Sequence, residues 1–122
     1  MSAETFLFRF VDGEPAALDV ERFRQVVEPY VVAGGTDIGE VHLRAEDGGE
    51  AEFYLRTEGT GGAMTSVTVM HISSGAMLGL LTRVADALGA VILPVGGAAE
   101  ILREEQRRHL PPDLRDEAVV RS

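Results

Sequence analysis

Between residues 40 and 57, apolar and polar side chains alternate one for one on either side of a glycine turn, and few patterns restrict a chain so tightly. Val41, Leu43 and Ala45 alternate with Glu40, His42 and Arg44; after Glu46-Asp47-Gly48-Gly49-Glu50, Ala51, Phe53 and Leu55 alternate with Glu52, Tyr54 and Arg56. A period of two sends successive side chains to opposite faces, so the segment is expected to form a β-hairpin with one apolar and one polar face. The apolar face needs a second layer to bury it, and the rest of the chain has helical patterns to supply one.

Residues 5–11 also alternate, with Phe6, Phe8 and Phe10 on one side and Leu7 and Arg9 on the other. This predicts a strand that Asp12-Gly13-Glu14-Pro15 breaks. Asp19 is placed to cap a helix over residues 20–28 in which Val20, Phe23, Val27 and Tyr30 recur at helical spacing, and Pro29 ends it. Gly34, Gly35 and Gly39 make the next stretch a loop. Beyond the hairpin, a second glycine turn at residues 59–62 precedes a third consecutive strand at 65–72, whose buried face stays open because Val67 and Val69 compete with Met70 and Ile72.

Ser73, Ser74 and Gly75 start a helix whose Met77, Leu78, Leu80, Leu81, Val84, Ala85 and Leu88 cover so much of it that it must be largely buried, and Gly89 stops it. A short apolar strand over 90–95 follows, placed at a sheet edge or end because Pro94 cannot donate a ladder hydrogen bond. A charged helix over 99–109 comes next, with Glu100 and Arg103, and Glu104 and Arg108, spaced for self-pairing. The resulting order is β-α-β-β-β-α-β-α. It predicts an α+β two-layer sandwich: a mainly antiparallel sheet, two helices on one face and a charged C-terminal helix. The chain reads as one domain over residues 1–110 with a loosely ordered tail over 111–122.

Composition narrows the functional classes. With 122 residues, 45% hydrophobic and 25% charged, the chain can bury one core of ordinary size. No cysteine occurs, which removes disulfides, thiolate metal sites and a cysteine nucleophile. A net charge of -9 argues against nucleic acid and anionic membranes as partners. The acidity is uneven, with 13 acids against 5 arginines in residues 1–58 and 7 against 6 in 59–122. Residues 1–4 resemble no secretion signal, which gives an expectation of a cytoplasmic location.

Two groups of residues are candidates for chemistry. If the apolar sides of all strands face the helices, the opposite side presents Arg9, His42, Arg44, Tyr54 and Arg56, a set whose guanidinium forks suit a carboxylate, a phosphate or an acidic partner. The bland account of the same residues is that antiparallel sheets ordinarily show water a polar face. The second candidate is an anion site at His71, Ser73, Ser74 and Gly75, where a strand meets a helix start. Its bland account is a serine cap beside a strand histidine. No G-x-S-x-G, Walker lysine, dinucleotide fingerprint or EF-hand spacing occurs, and the three histidines lie on different predicted elements.

No catalytic, metal or cofactor constellation is complete. A non-enzymatic binding or interaction module, with a protein partner or self-association, is therefore ranked above an enzyme. An acidic antidote to a basic protein is one such role. The alternatives are a protein or enzyme for a small anionic ligand, using either candidate group, and a structural homo-oligomer joined through the segment 91–95.

Overall fold

The computed structural model describes residues 4–35, 39–57, 64–73 and 75–120. It is an α+β fold with a mainly antiparallel sheet. The hairpin forms as its alternation dictates: β4 (Glu40–Arg44) pairs with β5 (Glu50–Thr57), and Val41, Leu43, Ala51, Phe53 and Leu55 are buried. Gly48, at φ 85°, sits in the turn that links them.

The remaining strands are β1 (Thr5–Val11), β2 (Glu14–Ala16), β3 (Val31–Gly35), β6 (Met64–Met70), β7 (Val91–Pro94), β8 (Glu100–Ile101) and β9 (Val119–Val120). They run across the sheet in the order β3-β4-β5-β6-β1-β7-β8-β9, with β2 paired to β1. All described pairs are antiparallel except β8 with β9.

Registration decides which side of each strand is buried, because residues directly opposite across a ladder share a face. Leu55 stands opposite Val67, Val67 opposite Leu7, and Leu7 opposite Ile92, giving a continuous apolar row across four strands. Phe53 stands opposite Val69 on the same side. Two helices cover this face: α1 (Val20–Val27), which buries Phe23 and Val27, and α2 (Gly75–Leu88), which buries Met77, Leu80, Leu81, Val84, Ala85 and Leu88. Phe23 and Phe53 meet at a ring separation of 5.9 Å. The Asp19 carboxylate accepts from the Arg22 amide at 3.1 Å, and Gly89 at φ 65° ends α2, so both helix boundaries follow local signals.

The open question about the strand after the hairpin is answered: Val67 and Val69 face the helices, and Thr68 and Met70 face away. Several expectations are overturned. In β1 it is Leu7 that enters the core, at 0% exposure, while Phe6, Phe8 and Phe10 lie half-buried on the opposite face. The Asp12-Gly13 break is a two-residue hairpin turn with both residues at positive φ, 52° and 84°, which returns the chain as β2.

The glycine loop after α1 contains a strand, β3. Gly34, at φ 80°, approaches β4 so closely that a Cβ there would lie 2.2 Å from the Glu40 carbonyl oxygen. Strand β7 is interior, between β1 and β8. The Val95 amide bonds to Glu4 of the β1 side at 3.1 Å, so by alternation the Pro94 nitrogen points toward β8, which is only two residues long and does not reach it.

The C-terminal helix is not α-helical from 99. Ala99 and Ile101 are buried in and beside β8, and Glu104–His109 is a 3-10 helix in which Arg107 pairs with Glu104 at 2.6 Å and Arg103 reaches Asp86 at 3.2 Å. Nor do residues 111–120 form a loose tail. Pro112–Arg115 makes a helical turn, α3, Ala118 is buried, and β9 joins the sheet. With Val91, Ile101 and Leu110 these residues build a second, smaller apolar cluster, against which Phe10, Leu93 and Leu114 pack. The C-terminal segment thus covers one end of the face that α1 and α2 leave open. Among the described residues no helix is long and apolar enough to cross a membrane.

The assignment of faces in β1 is tested by two truncations in one strand. Leu7→Ala removes a fully buried side chain and is expected to cost about 2–5 kcal/mol, whereas Phe8→Ala, larger in volume but half-buried, should cost less than half as much. Urea unfolding of the two variants measures the difference, and the reverse order would mean that β1 is turned over.

Candidate functional site

On the face away from α1 and α2, registered side chains form rows that run across the strands. One row holds Glu40, Tyr54, Thr68, Phe6 and Leu93; the next holds His42, Glu52 and Met70; a third pairs Arg44 with Glu50. All members of the first row are partly buried, so they are neither sealed beneath another layer nor fully in solvent. Along β1 the phenyl rings stack at 6.2 Å between Phe6 and Phe8 and 6.1 Å between Phe8 and Phe10, a ridge that only its Phe10 end inserts into the C-terminal cluster.

The polar half of the face is internally paired. The His42 Nε2 lies 2.7 Å from Glu40, two residues earlier on the same side of β4. The Tyr54 hydroxyl donates to Glu52 at 2.6 Å, and the Nδ1 of His71 approaches the same carboxylate at 3.2 Å. His71 adopts φ 58°, an uncommon conformation for a residue with a Cβ, just where the chain leaves β6. Arg44 and Glu50 stand 3.6 Å apart.

These contacts shift proton affinities. The hydrogen bond that His42 donates to Glu40 raises the His42 pKa above its usual 6.5, with the charges of Glu40, Glu52 and Glu50 acting in the same direction and partial desolvation opposing them. The Tyr54 phenol is pushed up to about 12, because losing its proton would break the bond to Glu52 and set two anions together. Glu52 is held below the usual carboxylate range, first by the Tyr54 hydrogen bond and then by His71.

Of the five residues expected to form an arginine-bearing surface, the structure brings four to one face. His42, Arg44, Tyr54 and Arg56 lie there, while Arg9 projects from the Leu7 side of β1, donates to the Ala17 carbonyl at 3.3 Å and lies near Gly89 at the end of α2. The reason is that the apolar side of β1 is the outer one, so its polar residue goes inward.

The second candidate group does not converge as an anion site. Ser73 binds β5: its hydroxyl accepts from the Glu50 amide at 2.8 Å, and its own amide donates to the Glu50 carbonyl at 3.2 Å. His71 faces Glu52, Gly75 is the first residue of α2, and Ser74 lies outside the described residues. Glutamates at 50 and 52 beside this corner oppose an anion.

With His42 neutral, Glu40, Glu50 and Glu52 outnumber Arg44 and Arg56 on the hairpin's part of the open face. The face is therefore a mildly acidic field beside an aromatic ridge, the opposite of the cationic grip that the arginines alone suggested. The spacing of two between Glu40 and His42, and between Glu52 and Tyr54, was the signal for this pairing, since strand residues two apart are neighbours on one face. Among the described residues no group of three or more histidine or carboxylate side chains is arranged to hold a metal ion. Comparison with family models, curated proteins and solved structures found no match to the chain.

The shifted groups are directly measurable. In a pH titration followed by NMR, His42 is expected to titrate above 6.5 and Glu40→Gln to bring it back down toward that value. The sign follows from the carboxylate favouring the imidazolium, so the pairing is present below the unfolded-state pKa and is lost as pH rises through the folded one. An unchanged His42 titration in the variant would show that the pair does not form.

Proposed function

We propose that the chain is a non-enzymatic binding module that takes a basic protein partner on the open face of the sheet. The observation carrying this reading is the juxtaposition on that face of half-buried Phe6 and Phe8 with the excess of glutamates at 40, 50 and 52. Aromatic side chains provide large contact area at low entropic cost, and fixed charges of one sign speed the approach of an oppositely charged surface. Self-pairing of the polar groups suits recognition better than catalysis. Glu52 is occupied by Tyr54 and His71, and Tyr54 holds its proton far above neutral pH, so neither stands ready as a base. A binder of this kind fits the overall charge of -9 and would serve as an acidic antidote to a basic protein.

Self-association is a second reading, and one observation favours it. Among the described residues β3 is an outer strand of the sheet, paired only with β4, and it exposes Val31 and Val32 at 37% and 48%. An uncovered strand edge with apolar side chains invites pairing with a second copy. The segment 91–95 does not offer that edge, because β7 is paired on both sides.

The experiment is affinity capture from lysate with the wild-type chain and with a Glu40→Arg, Glu50→Arg variant, run alongside sedimentation of each. Basic proteins are expected on the wild type, weakened at least about tenfold on the variant and by raised salt. Equal capture by both chains would remove the open face as the recognition surface, and a wild-type dimer that captures nothing would favour the β3 edge.

A further inference from the structure

An unassigned concavity lies away from the open face, where the ends of β1 and β7 meet the C-terminal end of α2 and the 3-10 helix over residues 104–109. It encloses about 330 Å³, at the small end of the range for ligand clefts. Its floor is apolar, made by the half-buried ring of Phe10 with Val91 and Leu110 beneath it. Its rim carries Arg9, Asp86, Arg103 and His109.

The charges on the rim do not cancel. Arg103 is joined to Asp86 at 3.2 Å, and His109 faces Asp12 at 3.5 Å. Arg9 bonds only to the Ala17 carbonyl, through one Nη at 3.3 Å, and no carboxylate pairs with it among the described residues. A guanidinium carries five N-H donors in a planar fork that matches a carboxylate, so most of its hydrogen-bonding capacity is left over.

From this geometry we propose that the cleft is a binding site for a small monocarboxylate, whose anionic group meets Arg9 and whose short apolar body rests on Phe10. A singly charged ligand is selected over a phosphate dianion. Among the described residues only one cation on the rim is uncompensated, and the carbonyl end of α2 repels further negative charge. Two sets of hydrogen bonds tie the walls of the site together. Gln106 ties the 3-10 helix to the carbonyls of Gly89 and Ala90 at 3.4 Å each, and the Gly13 amide binds the His109 carbonyl at 2.8 Å, fixing the β1–β2 turn to the same helix. Such a preformed cleft spends little of its binding energy on ordering. It does not depend on the open face, and the site neither needs nor excludes a protein partner there.

The test is titration of the full chain with phenylacetate, followed by amide NMR, with phenylacetamide and inorganic phosphate as the comparison ligands. Phenylacetate should give saturable shifts at Phe10, Val11, Gly89 and Gln106, with both comparison ligands weaker by about tenfold or more. Arg9→Gln should weaken phenylacetate by a similar factor, while Arg56→Gln on the open face leaves it unchanged. The proposal is overturned by the absence of saturable shifts, by phosphate or the neutral amide binding as well as phenylacetate, or by full binding in Arg9→Gln. Should that variant fail to fold, the comparison of phenylacetate with phenylacetamide in the wild-type chain decides alone.

Discussion

The fold depends on one registered row, Leu55, Val67, Leu7 and Ile92, which runs across four strands beneath the two helices. Its members come from segments far apart in the chain, yet each is buried and each must meet the next in phase. Because side chains alternate with a period of two, slipping any one strand by a single residue would replace its contribution to the row with a side chain from the other face. The hairpin, with its polar residues on one side, tolerates no such slip. Through Leu55 and Phe53 it imposes its phase on β6, and β6 imposes it on β1.

That chain of constraint explains the least intuitive feature of the molecule. By composition alone the phenylalanine side of β1 would be the buried one, and the neighbouring strand decides otherwise. Val67 selects Leu7 for the helix face, which sends three phenylalanines outward and Arg9 inward. Two consequences follow. The outer phenyl ridge needs partial cover, which the C-terminal segment supplies at Phe10 and Leu93. The displaced guanidinium comes to lie beside the end of α2, where it lines a cleft instead of joining the arginines of the hairpin.

The electrostatic character of the open face follows from the same geometry. Strand residues two apart are neighbours, so Glu40 reaches His42 and Tyr54 reaches Glu52, and the end of β6 delivers His71 to the far side of Glu52. Each pairing satisfies a group that would otherwise be half-desolvated, and together they leave a modest acidic surplus next to aromatic surface. The surface sets this acidic surplus beside apolar contact area, and its titratable groups are already engaged with one another.

Local signals were readable without coordinates. The alternation over 40–57 determined the hairpin and its buried face, the Asp19 cap and Pro29 bounded α1, and Gly89 ended α2. These features depend on neighbours a few residues away, and the side chains that cause them stand next to their effects. What the chain alone pointed to wrongly were the side taken by the phenylalanines, the break before β2, the loop now seen as β3 (Val31–Gly35), the edge place of β7 and the loose tail at 111–120. The phenylalanine face, the place of β7 and the docking of residues 111–120 depend on pairing between distant segments, whereas β2 and β3 pair with strands close by in the chain. Where a segment is apolar on both faces, glycine-rich or only two residues long, periodicity gives no preferred side, and the strand lying alongside makes the choice.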